Sequence, residues 1–248
     1  MKEGILWIGF NRPEYAKVSL ESIFRANNKP EDFYAYVDND GTDRSLSIIS
    51  LLENFGVKNI CFRENRYNFT PNILKAYVDF FSKGYDVCHY IEEDIIISKD
   101  YFIKAKEHLE SESIVMFCGC ILVEDERGKV YPRFSTWGSS FKKVLFEKLE
   151  PHITEFLKAW EEGTSMEYQE NHFGCANVNG FDGLVGNVVR QHGLLSSYPE
   201  RSYSKDIGVY GHHREKGIPP IKTLEEWATE EPKGPNGYGI NGLDFKLE

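Results

Sequence analysis

An apolar run that drives straight into three carboxylates, YDVCHYIEEDIIIS at residues 85–98, constrains this chain more than any other stretch. Val87, Tyr90 and Ile91 require a packed interior. Glu92, Glu93 and Asp94 require water, a cation or hydrogen-bonding partners, because an isolated buried carboxylate is very costly. A strand is therefore expected to end where the acids begin. An arbitrary acidic triplet is a solvated turn, but here a second apolar run, residues 95–97, returns the chain to the interior at once, which favours a site. In α/β sheets the carboxyl ends of strands are where ligands bind, and clustered hard oxygen donors suit Mg2+ or Mn2+ carrying a diphosphate.

The segments before it alternate. Residues 5–10 form an apolar first strand, and Asn11-Arg12-Pro13-Glu14 has the makings of a helix start, with Asn11 as cap and Pro13 in the first turn, for a helix to about residue 26. A second strand over 33–37 ends in Asp38-Asn39-Asp40-Gly41, and helical spacing over 42–55 is closed by Gly56. Residues 59–62 give a third strand. A polar loop over 63–69 follows, then a helix from Thr70-Pro71 to about Ser82. Strands alternating with helices predict an α/β fold with a mostly parallel sheet, right-handed crossovers and a ligand crevice along the strands' carboxyl edge. Three loops converge there: Asn11-Arg12, Asp38 to Asp40, and Glu92 to Asp94.

Ser98 is placed to cap a helix over 99–109, and 114–118 is a further strand. The pattern then changes. Residues 133–140 form a polar loop of small residues around Trp137, whose ring suits stacking on a sugar or base as well as core filling. A helix is expected over 141–160 with a break near Pro151. Further on, Asn179-Gly-Phe-Asp-Gly-Leu184 places Asp182 in a glycine-flanked turn before a helix, as a cap or as a group facing the cleft. The late segment carries Arg201, Lys205, His212, His213, Arg214 and Lys216 before a Pro/Gly-rich tail. With no repeat and no linker, one domain over 1–248 is expected, with an elaborated half after about residue 125.

Composition excludes several classes. The chain of 248 residues is 41% hydrophobic, enough for a large core and unlike a disordered protein. No run approaches the roughly 18 to 20 apolar residues of a membrane span, and the apolar N-terminal run is too short for a signal peptide. A net charge of −10 disfavours broad contact with phosphate backbones. Five cysteines without a CxxC pair fit small buried hydrophobes in a reducing, cytoplasmic setting.

The ordered set ILWIGFNRPEYAKVSLESI, YVDNDGTD, ENRYNFTPNILKAYVDFFSKGYD and YIEEDIIIS resembles the GT-A family of nucleotide-sugar glycosyltransferases over roughly residues 4–140. In detail it is most similar to the branch containing the N-acetylglucosaminyltransferase that begins hybrid N-glycans, with Glu92-Glu93-Asp94 in place of Glu-Asp-Asp, as in a compact bacterial or bacteriophage member. The resemblance implies a GT-A fold and a sugar nucleotide donor, first of all a UDP-sugar. It also implies a divalent cation, Mn2+ or Mg2+, held by Asp94, with Glu92 or Glu93 acting through ribose or a metal-bound water. By the same resemblance Asn11 and Arg12 meet the nucleotide, Asp38 or Asp40 accepts from base or ribose, and Arg66 or Asn72 completes the pocket. Asp182 stands where inverting members carry the base, and His212 or His213 adds a contact to metal or diphosphate. The acceptor stays open among a glycan, a protein and a hydroxymethylated base of phage DNA. A nucleotidyltransferase and an inactive binding module are the alternatives from other classes.

Overall fold

The structure is a computed structural model and describes residues 1–64, 66–176, 178–209, 217–231 and 241–248. The first half alternates β1 (Glu3–Gly9), α1 (Pro13–Arg25), β2 (Phe33–Val37), α2 (Asp43–Asn54), β3 (Asn59–Phe62), α3 (Phe69–Ser82) and β4 (Val87–Glu92). There follow β5 (Ile95–Ile97), α4 (Tyr101–Leu109), β6 (Ile114–Cys118), β7 (Val130–Tyr131), β8 (Ser139–Lys142), α5 (Lys143–Glu161), α6 (Ser165–Phe173), α7 (Phe181–Gln191), β9 (Leu195–Ser197), β10 (Ser204–Asp206) and α8 (Leu224–Thr229).

Among the described residues, eight strands form one sheet in the order β3-β2-β1-β4-β8-β6-β9-β7, and β10 pairs with β5 in a small second sheet. The sheet is mostly parallel: β8 and β7 alone run against the rest. Side chains alternate across it with the two-residue period of a strand. Leu6, Ile8 and Tyr90 pack beneath α3, α5 and α7, while Ile5, Trp7 and Ile91 pack beneath α1, α2 and α4. Helices on both faces explain why β1 and β4 are buried on both sides, with runs such as residues 5–8 that do not alternate with polar residues.

Four local expectations are corrected. Arg12, not Asn11, occupies the cap position of α1, and the Asn11 side chain instead donates to Asp40 Oδ2 at 3.0 Å. Ser98 caps nothing: α4 begins at Tyr101, and the buried Ser98 hydroxyl has no partner among the described residues. Phe141 lies in β8 between β4 and β6 instead of opening a helix. Helix α5 runs unbroken through Pro151, because burial of Leu145, Phe146, Leu149, Ile153 and Phe156 along one face outweighs the one hydrogen bond a proline removes.

Candidate active site

Strand β4 delivers the three acids to the edge of the sheet, and each meets a different environment. Glu93 accepts from the Phe10 backbone N–H (2.8 Å) and from Arg12 Nε (2.6 Å), which ties the turn to the loop after β1. Asp94 Oδ2 lies 2.9 Å from Arg12 Nη1. Burial by itself would lower the Arg12 guanidinium, but the adjoining Asp94 and Glu93 charges offset that and hold it firmly charged. Glu92 accepts from the Tyr90 hydroxyl at 2.8 Å; burial, and then the charge on Asp94, pushes its carboxyl well above the ordinary range.

A fourth acid arrives from far along the chain. Strand β10 pairs antiparallel with β5, setting Asp206 opposite Ile95. Asp206 is fully buried and accepts from the Gly208 N–H at 2.9 Å. Gly208 sits where Asp94 and Asp206 converge: a Cβ there would lie 2.2 Å from Asp94 Oδ2 and 3.1 Å from Asp206 Oδ1, so any side chain would fill the space between the two carboxylates. Among the described residues no three His, Cys, Asp or Glu side chains are gathered as a complete metal site. The oxygen donors present fit a cation that takes one or two carboxylates from protein and the rest of its ligands from a diphosphate and water. His212 and His213, with Arg214 and Lys216, lie outside the described residues.

Beyond α1, the ends of β2 and β3 form a second group. Asp40 is occupied by its own turn, accepting from Asn11 and from the Thr42 N–H and hydroxyl, and these bonds hold its carboxylate below the ordinary value despite burial. Asp38 differs: Oδ1 accepts from the Tyr67 N–H at 2.8 Å, Oδ2 is buried with no hydrogen-bond partner among the described residues, and burial raises its pKa. Arg63, a residue that sequence reasoning passed over, lies between the Tyr36 and Tyr67 rings and donates from Nε to Asn72 Oδ1 at 2.9 Å, leaving Nη2 buried and without a partner among the described residues. Arg66 stands over the Phe10 ring at 5.3 Å. Buried polar groups are nearly always satisfied, so an orphaned acceptor and an orphaned donor on neighbouring strand ends mark a place for a ligand.

The third group is built by α7. Gly180, with φ of 87°, caps this helix without a side-chain bond, so Asp182 lies inside the first turn and is not the cap. Its neighbour Phe181 is locked among aromatic rings, 6.1 Å from Tyr90, 6.5 Å from Tyr77 and 5.5 Å from Phe69, and its N–H donates to Thr70 Oγ1. That anchor sets Asp182 close enough for its charge to be felt at Glu92. Asp182 Oδ1 has no hydrogen-bond partner among the described residues, and burial pushes the carboxyl up to about 7. The same residue lines a cavity of about 430 Å³ with Trp137, Phe134, Arg133, Gly186 and Arg190. The Trp137 carbonyl accepts from Ser204 of β10, which ties this cavity wall to the strand carrying Asp206.

Of the late basic residues, Arg201 and Lys205 are among those the structure describes. Lys205 is buried, and its ammonium donates to the Ala228 and Glu230 carbonyls. Arg63 was missed because it has no local motif; Asp206, in the sequence only a second choice for the base, reaches the acids through a strand pairing more than 100 residues away in sequence.

No family profile matches the chain, and no curated protein resembles it in sequence. Solved structures do resemble it. The mannosyltransferase PcManGT from Pyrobaculum calidifontis, in complex with GDP-Man and Mn2+, superposes with a TM-score of 0.54 at 14% identity, over 80% of this chain and 54% of that one. Residues 1–349 of TarS from S. aureus superpose with a TM-score of 0.53 at 11% identity, over 82% of this chain and 60% of that one. The chain thus spans a little over half the length of the structures it matches. At such identities the likeness is one of fold, and the fold is that of the GT-A glycosyltransferases.

Proposed function

We propose that this protein is a glycosyltransferase that moves a sugar from a nucleoside diphosphate sugar to an acceptor hydroxyl with inversion at the anomeric carbon. The observation that carries this reading is the convergence, on one sheet edge, of an unpaired donor and acceptor pair, an arginine bound into an acidic turn, and a raised carboxyl beside a cavity. Asp38 Oδ2 and Arg63 Nη2 suit a base edge that offers an N–H beside a carbonyl, as uracil and guanine do, with Arg66 and Asn72 flanking it. Asn11 and Arg12 would meet the diphosphate, and Glu92 and Glu93 the ribose or the first hydration layer. A divalent cation, Mn2+ or Mg2+, held by Asp94 and His212, would neutralise the charge that grows on the leaving diphosphate. Asp182 takes the proton from the acceptor hydroxyl, whose oxygen bonds to the anomeric carbon as the bond to the diphosphate oxygen breaks on the opposite face. The half up to about residue 125 would then bind the donor, and the half from 126 to 248 the acceptor.

The acid triplet also supports kinship with the N-acetylglucosaminyltransferase branch, and the five free cysteines suit a reducing, cytoplasmic compartment. A DNA acceptor finds less support, since the buried Lys205 offers nothing to a phosphate backbone. The test is calorimetric titration of UDP, GDP and CDP with and without Mn2+, followed by donor hydrolysis. Tight, Mn2+-dependent binding of one nucleotide and release of it from its sugar conjugate are expected. Negligible heat throughout would end the proposal, and binding without turnover would favour an inactive binding module.

A further inference from the structure

The cavity beside Asp182 does not end at Arg190. A second cavity of about 290 Å³, walled by His172, Phe173 and Cys175, adjoins it and shares Asn187 and Arg190 with it. Together they form a groove along α7. Both volumes lie near the lower end of the roughly 300 to 1,000 Å³ of small-molecule sites, which suits one sugar ring in each. Gly186 faces the first cavity with open space where a side chain would stand, since a Cβ there meets nothing within 4 Å. Trp137 and Phe134, both half-buried, offer ring faces to the apolar side of a sugar.

Charge along the groove is uneven. Arg133 is neutralised by an ion pair with Glu126. Arg190 is exposed, and its guanidinium is oriented by two neutral groups, Asn187 Oδ1 and Cys175 Sγ; among the described residues it has no carboxylate partner. A guanidinium held in place without a counter-charge, in a chain of net charge −10, suits a planar anionic group. Eight residues of helix separate it from Asp182, about 12 Å at 1.5 Å per residue, beyond the span of one sugar ring. We infer that the acceptor is an acid-bearing oligosaccharide lying along α7, its reactive unit beside Trp137 and Asp182 and the carboxylate or phosphate of its next unit on Arg190. This rests on the glycosyltransferase reading and specifies its acceptor. A nucleic acid fits less well, because among the described residues the groove offers Arg190 as its one cation without a carboxylate partner, far short of the phosphate contacts such binding needs.

The experiment measures nucleoside diphosphate release from the donor by the full chain with four kinds of acceptor: methyl glucosides, neutral disaccharides, di- to tetrasaccharides containing glucuronic acid or sugar phosphate, and oligonucleotides containing 5-hydroxymethylcytosine. Acid-bearing oligosaccharides should stimulate release roughly tenfold more than their neutral counterparts, the scale of one charge-assisted contact. Arg190→Gln should bring that ratio close to one. Gly186→Leu, a substitution with room for the side chain and a better helix former than glycine, should fill the cavity and suppress stimulation by every sugar while UDP affinity stays unchanged. Equal stimulation by acidic and neutral sugars, or by monosaccharides and oligosaccharides, would overturn the inference. So would stimulation by the oligonucleotides alone, an unchanged ratio in Arg190→Gln, or no stimulation by any acceptor in a protein that binds nucleotide. Failure to bind any nucleotide would instead remove the underlying glycosyltransferase reading, and this inference with it.

Discussion

Burial places the Asp182 carboxyl at about 7, against an ordinary value of 3.8, and this one shift ties stability to function. A carboxyl raised by folding contributes stability that is fully present below about pH 4 and lost as pH rises to about 7. Asp182→Asn should therefore stabilise the protein at pH 8, by up to about 4 kcal/mol at 1.36 kcal/mol per unit of pKa, and change little at pH 4; thermal unfolding at the two pH values checks this. The same variant should lose transfer by on the order of a hundredfold or more while nucleotide affinity holds, since a base acting on the acceptor contributes little to donor binding. Wild-type transfer should rise with pH and level off above about 7. Asp94→Ala should lower metal-dependent donor turnover about a hundredfold or more and Glu93→Ala less. Circular dichroism would confirm that both stay folded, and equal modest losses would move the metal ligand elsewhere.

Helix α7 shows how an element aims a side chain. Its spacing and glycines were visible in the sequence, but its start was not: the chain enters the helix at Phe181, one residue before Asp182, because Gly180 adopts positive φ and Phe181 finds a pocket among Tyr77, Tyr90 and Phe134. Phe181→Ala should cost about 3 to 5 kcal/mol, as large core truncations do, and should lower transfer more than nucleotide binding, because the lost ring aims Asp182 and reaches the proposed donor site indirectly, through Tyr90; urea unfolding and paired kinetics measure both. Strand β8 teaches the opposite lesson. Ser139 and Ser140 look like loop residues, yet both are buried between β4 and β6, where their small side chains and the His89 and Tyr101 bonds to Ser140 Oγ decide the outcome.

The proposed nucleotide site draws on the ends of β1, β2, β3 and β4, so occupancy should stabilise the whole sheet. A nucleoside diphosphate with Mn2+ at about a hundred times its dissociation constant adds about 2.7 kcal/mol, which in a chain of this size raises Tm by roughly 5 to 10 °C; scanning calorimetry with UDP, GDP and CDP reads this directly and ranks the bases. Across the first half, the strand and helix order and the acids of residues 92–94 were legible in the sequence because they rest on local signals: hydrophobic periodicity, a proline near a helix start, a glycine after its end. The partners of those acids were not. Arg12 reaches Glu93 and Asp94 across 81 and 82 residues, Asp206 reaches Asp94 through the pairing of β10 with β5, and Arg63 becomes notable only when packing leaves its Nη2 buried without a partner. Local sequence determines which strand ends carry charge, since apolar runs and acids cannot share an interior. Which charges meet, and which stay unsatisfied, is decided by strand order and side-chain packing, because both depend on distances that no local spacing encodes.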